Sequence, residues 1–427
     1  MLVEFTVKNY RSINESQTLS LMSNSSTHLR DSHTFTIKQG RRNLRLLRSA
    51  VIYGANASGK SNIISALQTM WKIILESVKS QRGDEIPVEP FAFNPENSVL
   101  PTEFDIIFIL DNVRYQYGFS ATKKQVVEEW LYTFDKKDEP ITWFERELDI
   151  ETGHYNWLDD NILPLEKTFW QKSTRNNELF LAKAVQMNAE VLQGIFDYFV
   201  TAHPLIRYVP DEYLGVAVQA ACAESPDLMS EILGIVSVAD GTIKQIKIKN
   251  NNAAKFMEKV SSMNELEVIR QSKDIDHSFR YDFESDVAIG RKNNDGSIVY
   301  LSLDEESQGT KKMFNISMQF LVAINVGRTL IIDELNTHLH PLLTDYLIQK
   351  FNNPITNPNN AQLIFTTHDV SVLTNKNFRK DQVWFVRKTE QLNSELYSLA
   401  EFKDISRNEK YANNYLLGRY DGIPYLP

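Results

Sequence analysis

The sequence predicts an α/β fold around a mainly parallel sheet, with an antiparallel β-meander lobe and a helical insertion. Three observations support this prediction. An apolar run at 51–53 leads through a glycine-containing loop into an amphipathic helix predicted over 62–79. Four strand-like segments separated by turn residues follow between 102 and 147, which indicates an antiparallel meander. From about residue 296, apolar strands again alternate with helices, as in sheets covered by helices.

The remaining elements follow in chain order. Residues 2–8 alternate as a strand, and residues 46–53 are typical of a buried strand. Between 165 and 275 the pattern changes to short helices without sustained heptads, including "AAKFMEKVSSM". Helices are then expected at 307–325 and 341–351. The predicted domains are 1–160 (the half with the glycine-containing loop and the β lobe), 161–290 (helical insertion) and 291–427 (C-terminal α/β lobe).

Composition limits the function classes. The chain has 427 residues and a formal charge of −9, which argues against a generally basic nucleic-acid coat. One basic run, 38–48, is expected to be a solvated loop, with contact to a phosphate backbone as the alternative. The single cysteine, Cys222, excludes an internal disulfide framework and is expected to be buried in a helix. Without a signal-like start or a long apolar run, we expect a cytoplasmic protein.

The segment "GANASGKS" fits the phosphate-loop pattern G-x-x-x-x-G-K-[ST] at every fixed position, between a predicted strand and a predicted helix. Glycines let backbone N–H groups curl around phosphate oxygens, and the helix N-terminus adds partial positive charge. Lys60 supplies a cation, and Ser61 supplies a hydroxyl ligand for Mg²⁺. The residues expected to bind the nucleotide here are Gly54, Asn56, Ala57, Ser58, Gly59, Lys60, Ser61 and Asn62.

Acidic and polar residues at later strand ends complete the predicted site. Asp333 follows the apolar strand "TLII" and is expected to hold Mg²⁺, while Glu334 is expected to act as general base. His368 ends the next apolar strand and is interpreted as a sensor of the γ-phosphate. Ser307 and Gly309 begin a predicted helix, where they form a second anion site or a plain N-cap.

These motifs and their order resemble the ABC-type ATPases, in particular the heads of the SMC and RecF type and the OLD nucleases. "FTVKNYRSI", "ESQGTKK", "IIDELNTHLHP" and "TTHD" are similar to motifs of that branch, and "YLLGRYDGIPYLP" resembles the ending of RloA- and AbiL-like ATPases of restriction and abortive-infection loci. The resemblance covers roughly 1–75 and 300–427. It implies an ABC-ATPase-like head, ATP and Mg²⁺ as ligands, and a place near the nucleotide for Asn9 and Arg11, with surface polarity as the alternative.

The sequence departs from the family pattern at three places. The signature contains Ser307-Gln308-Gly309, which lacks one glycine. No Q-loop glutamine is identifiable, and Asn94 is the only amide candidate near its expected place. His340 occupies a position that often holds aspartate. These departures bear on the rate of hydrolysis more than on nucleotide binding.

The resemblance implies a head-to-tail dimer in which Ser307 and Gly309 of one chain cap the phosphate held by Lys60 of the other. The first hypothesis is an ATPase that regulates antiphage defence through a separate effector, such as a TOPRIM or RloB-like nuclease. Only 59 residues follow His368 (427 − 368), which is too few for the added nuclease domain of related proteins. The alternatives are a DNA-repair ATPase acting directly on DNA and a non-catalytic, nucleotide-gated scaffold. Neither the trigger nor the effector follows from the sequence.

Overall fold

The computed structural model describes residues 1–39, 42–135, 137–206, 218, 219, 222, 225–249, 286–403 and 409–423. The chain forms two compact units. Unit 1 contains Met1–Arg207, Gly327–Leu335 and Ile348–Pro427, and unit 2 contains Tyr208–Val326 and Asn336–Leu347. The predicted α/β class is confirmed. The three domain ranges predicted from the sequence stay predictions.

The described residues form seventeen strands and nine α-helices. The strands are β1 (Leu2–Lys8), β2 (Gln17–Ser20), β3 (Thr34–Gln39), β4 (Arg42–Leu47), β5 (Ser49–Gly54), β6 (Thr102–Leu110), β7 (Val113–Ala121), β8 (Val126–Phe134), β9 (Pro140–Leu148), β10 (Tyr155–Leu158), β11 (Ile243–Ile248), β12 (Val287–Lys292), β13 (Ile298–Ser302), β14 (Thr329–Ile332), β15 (Gln362–Thr366), β16 (Val383–Lys388) and β17 (Ser394–Ser398). The helices are α1 (Arg30–His33), α2 (Lys60–Glu76), α3 (Lys167–Ser173), α4 (Phe180–Gln186), α5 (Glu190–Ile206), α6 (Pro226–Ala239), α7 (Gln308–Val326), α8 (Pro341–Asn352) and α9 (Tyr411–Leu416).

The largest sheet of unit 1 is antiparallel, with strand order β10-β9-β8-β7-β6-β1-β2. Its centre is the predicted four-strand meander, β6 to β9, which is confirmed. Asp111 and Asn112 both have left-handed backbone (φ 50° and 62°), the conformation that a two-residue hairpin turn requires. On the inner face, Tyr117 and Phe119 are fully buried, and Phe108 stacks on Tyr198 of α5 with ring centroids 4.2 Å apart. This face forms the main core with α2 and α5.

A second sheet of unit 1 carries the P-loop segment. Its order is β14-β15-β5-β16-β17, in which all strands except β17 run parallel. Strands β14, β15 and β5 are buried along their whole length, which explains their continuous apolar runs. The strand predicted over 46–53 is wrong in one respect: β4 ends at Leu47 and β5 begins at Ser49, because Arg48 marks the change from a hairpin to the parallel sheet.

The predicted basic run 38–48 forms most of the β3–β4 hairpin rather than a loop. The hairpin places Phe35, Ile37 and Leu46 against Val3 and Ile109. Within the run, Arg48 is buried, and its guanidinium donates to Asn357 O at 3.0 Å. Arg41 and the side chain of Arg42 lie outside the described residues. A buried Arg48 is unavailable to a phosphate backbone, which weakens the alternative of a nucleic-acid track along this run.

One glutamine joins the two larger sheets of unit 1. The Gln362 side chain accepts from Leu2 N at 2.8 Å and donates to Leu2 O at 2.9 Å, as a neighbouring strand would. Gln362 begins β15, whereas Leu2 begins β1 of the antiparallel sheet. This pair satisfies backbone groups that are otherwise buried without partners, so it fixes β1 beside the parallel sheet.

In unit 2, a three-stranded antiparallel sheet of order β11-β12-β13 accompanies helices α6 and α7. The predicted helix "AAKFMEKVSSM" lies outside the described residues. Cys222 is buried in a helical segment, as expected. Among the helices of the described residues, none combines the length and the apolar character that crossing a bilayer requires.

The buried His33 should make the stability of unit 1 depend on pH. Its Nδ1 donates to Gln382 Oε1 at 2.8 Å, and burial is the main cause that lowers its pKa from 6.5 to about 4. In the unfolded chain, the His33 imidazole therefore becomes protonated below pH 6.5, whereas in the folded chain it becomes protonated only near pH 4. Stability is complete above pH 6.5 and falls as the pH drops, by about 2 kcal/mol at pH 5.

All six tryptophans lie in unit 1, so tryptophan fluorescence during urea unfolding at pH 7 and pH 5 measures this loss. We expect His33→Gln to remove most of the loss between the two pH values. The exposed His154, changed to Gln, is the matched control and should keep it. Equal pH dependence in wild type and His33→Gln would contradict the assignment.

Candidate nucleotide-binding site

The loop between β5 and α2 has glycines at two positions where another segment approaches its backbone closely. Gly59 has φ 110°, and a Cβ on it would lie 2.1 Å from Ser394 Oγ. A Cβ on Gly54 would lie 2.4 Å from Val386 O in the neighbouring strand β16. The predicted helix is confirmed as α2, which begins at Lys60 and spans 17 residues. The loop therefore presents the free N–H groups of a long helix at the carboxyl edge of the parallel sheet.

Lys60 lies inside this loop. Its Nζ donates to Gly54 O at 2.9 Å and to Ala55 O at 3.0 Å, and the residue is buried. Burial is the main cause that lowers the pKa of Lys60, and the charges of Asp333 and Glu334 act in the opposite direction. Both hydrogen-bond acceptors are neutral, so the ammonium has no anion in direct contact among the described residues. An incoming phosphate would supply that anion.

The other loop residues divide into exposed and buried groups. Asn56, Ala57 and Ser61 are exposed, so their backbone or side-chain groups can reach a ligand. Ser58 is buried, and its Oγ has no hydrogen-bond partner among the described residues. A buried, unpaired hydroxyl is costly, and functional sites are where such groups persist. Asn62 donates to Ser12 Oγ at 2.6 Å.

Asp333 and Glu334 follow β14 directly, and Thr366 at the end of the neighbouring strand β15 holds both. Thr366 Oγ1 accepts from Glu334 N at 2.7 Å and donates to the Asp333 carboxylate. Thr366 is fully buried, so this geometry is fixed by the sheet. Glu334 has left-handed backbone (φ 50°), which costs about 1–2 kcal/mol for a residue with a Cβ. The turn directs the Glu334 side chain outward, where it is half exposed.

His368 lies beside this acid pair. Its Nε2 is 3.7 Å from Glu334 Oε1. Burial, followed by the charge of Lys60, lowers the pKa of His368, while Glu334 and Asp333 raise it less. The imidazole is therefore mainly neutral at pH 7. The charges of Asp333 and Glu334 act on both Lys60 and His368 at this edge of the sheet, and the roles predicted for the four residues stay predictions.

The predicted signature residues lie in unit 2. Ser307 Oγ accepts from Thr310 N at 3.1 Å, so Ser307 is the N-cap of α7. A Cβ on Gly309 would lie 3.1 Å from His338 O, which leaves little room for a larger residue. The preceding Glu306 is held by Arg291 of β12, whose guanidinium donates to Glu306 Oε2 at 2.8 Å. The N-cap alternative is thus observed, and it does not exclude anion binding by the exposed Ser307.

Asn9 and Arg11 make contacts to the connector between α2 and β6. Asn9 Nδ2 donates to the carbonyls of Asn97 and Leu100, at 2.9 and 3.0 Å, and Asn9 Oδ1 accepts from Phe91 N. Asn9 is buried, which is not the surface position that we considered as its alternative. Arg11 pairs with Glu89 at 2.7 Å. Their predicted place near a nucleotide stays a prediction.

Three polar residues that contact the site were missed from the sequence: Thr366, Ser12 and Ser394. Thr366 belongs to the quoted "TTHD", so its place at a strand end offered a signal. Ser12 and Ser394 lie 382 positions apart, yet their hydroxyl oxygens are 2.7 Å apart beside the P-loop. No local pattern predicts such a long-range pair.

The family follows from a comparison with known proteins. The family model described as "AAA domain, putative AbiEii toxin, Type IV TA system" matches residues 49–191 and 244–374, well over half of the chain. The matched segments include the P-loop, Ser307, Asp333, Glu334 and His368. The matched family model defines a domain of the AAA class. The chain belongs to this AAA-domain family, which confirms the predicted class.

Two solved structures align with the chain at low similarity. The SMC head domain from Thermotoga maritima is 12% identical, covers 93% of this chain and 98% of that chain, and gives a TM-score of 0.43. An SmcHead bound to the C-winged helix domain of ScpA is also 12% identical, with coverages of 93% and 97% and a TM-score of 0.38. Similarities at this level carry no functional argument. No curated protein matches the sequence.

The P-loop stores backbone strain at Ala57, and its removal should stabilise unit 1. Ala57 has φ 60°, a conformation that glycine adopts without steric cost. We expect Ala57→Gly to raise the free energy of unfolding by about 0.5–1 kcal/mol, after the entropic cost of glycine is subtracted. Urea unfolding followed by tryptophan fluorescence measures the change.

Ala55 is the matched control for this prediction, because it lies in the same loop and has no left-handed backbone. Ala55→Gly should lower the free energy of unfolding by about 0.4–1 kcal/mol through the unfolded chain. Destabilisation by both substitutions would show that Ala57 is not strained.

Proposed function

We propose that this chain binds Mg²⁺·ATP at the P-loop and hydrolyses it. One observation carries the proposal: Lys60, Asp333, Glu334 and His368 meet at the carboxyl edge of a single parallel sheet. The charge of Asp333 raises the pKa of Lys60, and the charge of Lys60 lowers the pKa of His368. These charges are therefore close enough to act on one ligand. Such an arrangement of a cation, two acids and an imidazole suits phosphoryl transfer to water.

The residues fit the two ligands. Carboxylate and hydroxyl oxygens are the donors that Mg²⁺ prefers, so Asp333 and Ser61 would hold the metal ion. The Lys60 ammonium, which has only neutral acceptors, and the Ser58 hydroxyl, which has no partner among the described residues, fit phosphate oxygens. N–H groups of the loop and of the first turn of α2 would add to them. When bound, Mg²⁺·ATP supplies an activated phosphoanhydride bond and a cation that neutralises its charge.

The catalytic roles follow from charge and position. Glu334 is exposed beside the P-loop, so its carboxylate is placed to accept a proton from the attacking water. Thr366 holds the Glu334 main chain and the Asp333 carboxylate, so base and metal ligand keep a fixed relation. His368 is mainly neutral and lies close to Glu334, so one ring nitrogen can donate to the γ-phosphate.

The second part of the proposal is a head-to-tail dimer. Ser307 and Gly309, at the exposed start of α7, would meet the γ-phosphate bound by Lys60 of a second copy. Two features support this part. Ser307 is exposed, and Gly309 nearby has no side chain that would block a ligand. Both residues lie beside the N–H groups at the start of a 19-residue helix. ATP would then join the two chains, and hydrolysis would release them.

The biological role proposed here is the regulation of antiphage defence in the cytoplasm. The support is the description of the family, which names the AbiEii toxin and a type IV toxin–antitoxin system. The nucleotide state of the dimer would control a separately encoded effector, such as a TOPRIM or RloB-like nuclease. This role favours a subtype similar to the RloA- and AbiL-like ATPases.

Replacement of the proposed base tests hydrolysis separately from binding. Glu334→Gln should lower ATP turnover ~10²–10⁴-fold, because a general base contributes about that much. ATP binding should remain, and ATP-bound dimers should accumulate. Phosphate release and sedimentation velocity measure the two effects. Exposed Glu390, changed to Gln, is the control. Unchanged turnover in Glu334→Gln would favour a scaffold that does not hydrolyse ATP.

Mixing two inactive variants tests the head-to-tail geometry. A Lys60→Ala chain and a Ser307→Arg chain are each expected to be inactive alone. In a mixed dimer, Lys60 of one chain meets Ser307 of the other at one intact site. Random pairing should therefore restore roughly a quarter of wild-type turnover.

The control mixture combines Lys60→Ala with a Lys60→Ala, Ser307→Arg double variant, which leaves no intact site. Activity restored in that mixture, or none restored in the first, would rule out sites shared between two chains.

A further inference from the structure

A chain of hydrogen bonds reaches the P-loop backbone from two distant parts of unit 1. Ser12 lies in the turn after β1, and Ser394 begins β17 at the edge of the parallel sheet. Ser394 Oγ lies 2.7 Å from Ser12 Oγ and 2.6 Å from Ser58 O. Asn62 Nδ2, in the first turn of α2, lies 2.6 Å from Ser12 Oγ. The bond from Ser394 N to Ser12 O, at 2.7 Å, ties the two main chains together.

The hydrogen bonds of this chain have defined directions. The Asn62 amide nitrogen can only donate, and the Ser58 carbonyl oxygen can only accept. Asn62 donates to Ser12 Oγ. The Ser394 hydroxyl is directed at two acceptors, Ser58 O at 2.6 Å and Ser12 Oγ at 2.7 Å. Ser394 thus donates directly to the P-loop backbone.

The Ser58 carbonyl sets the orientation of the next N–H group. The peptide plane between Ser58 and Gly59 is rigid and trans, so the Gly59 N–H points away from the carbonyl that Ser394 holds. Ser394 and Ser12 lie on the outer side of the loop, because a Cβ on Gly59 would meet both hydroxyls, at 2.1 and 2.9 Å. Gly59 thus has no side chain where the two serines approach, and they can hold the peptide closely.

We infer that Ser394 is a positioning residue for phosphate binding. It acts through the Ser58–Gly59 peptide, which it turns so that the Gly59 N–H faces the bound phosphates. Ser12 lies beside it, where its Oγ accepts from both Ser394 and Asn62. The inference rests on the proposed nucleotide binding at this loop. It makes the edge strand β17, whose Ser394 lies 336 residues after Ser58, part of the phosphate site.

The test compares ATP affinity and turnover in Ser394→Ala, Ser12→Ala and the double variant. Loss of one oriented donor should weaken ATP roughly tenfold in Ser394→Ala, and pyrophosphate used as a competitor should weaken equally. KM should rise with kcat nearly unchanged, because the N–H group contacts the phosphates before and during the reaction. Ser12→Ala should have a smaller effect. The double variant should match Ser394→Ala, because both residues act through one bond.

Ser398→Ala is the matched control, because Ser398 is a buried serine of the same strand whose hydroxyl caps residues 399–401. The melting temperature without nucleotide separates folding from binding, since a structural role lowers the active fraction and hence kcat without changing KM. Wild-type KM in Ser394→Ala, or a lower kcat at unchanged KM, would overturn the inference. If wild type binds no ATP, the proposed function fails instead, which the wild-type titration alone reveals.

Discussion

The register of three parallel strands is the constraint on which the site depends. Strand β15 lies between β14 and β5, and its residues pair in order with both, so that Ile332 faces Phe365 and Ile52 faces Thr366. The carboxyl ends of all three strands therefore lie at one edge of the sheet, although β5 runs on to Gly54, two residues beyond the partner of Thr366. The loop after β5, the acid pair after β14 and the histidine after β15 follow from that alignment. A shift by one residue would move every side chain to the opposite face and separate these groups.

Polar groups at the P-loop edge lack partners that a ligand could supply. Lys60 has only neutral acceptors, and Ser58 Oγ has no partner among the described residues. Ala57 and Glu334 add backbone strain. The scaffold around this edge is held by buried polar pairs: Gln362 joins the two larger sheets of unit 1 with paired hydrogen bonds, and Arg379 pairs with Asp381 at 2.8 Å. Costs of this kind are expected at an edge where a ligand supplies the missing partners.

The sequence was sufficient for features that repeat locally. The alternation in β6 to β9, the apolar runs of β14 and β15 and the glycine loop before α2 each have a period or a motif within a short window. Strand β17 was missed because five residues with two serines carry little apolar signal. The division at Arg48 was also missed, because a buried arginine between two strands breaks no pattern that residue type alone reveals.

The site was predictable only in part, because some of its residues are marked by a local motif and others are not. Lys60, Asp333, Glu334 and His368 are each identified by the residues beside them. Thr366, Ser12 and Ser394 act through hydrogen bonds between segments far apart in the chain, and a hydroxyl at the right distance depends on the folded backbone. Asn9 shows the converse, because a conspicuous polar residue near the N-terminus is buried against a connector.

The most direct measurement of the central claim is ATP binding by titration calorimetry with Mg²⁺ and with EDTA, in wild type and Asp333→Asn. If the aligned strand ends hold a metal-bound triphosphate, wild type binds ATP more tightly with Mg²⁺, and Asp333→Asn loses that difference. Equal affinity with and without Mg²⁺ in wild type, or an undiminished Mg²⁺ effect in Asp333→Asn, would contradict the account.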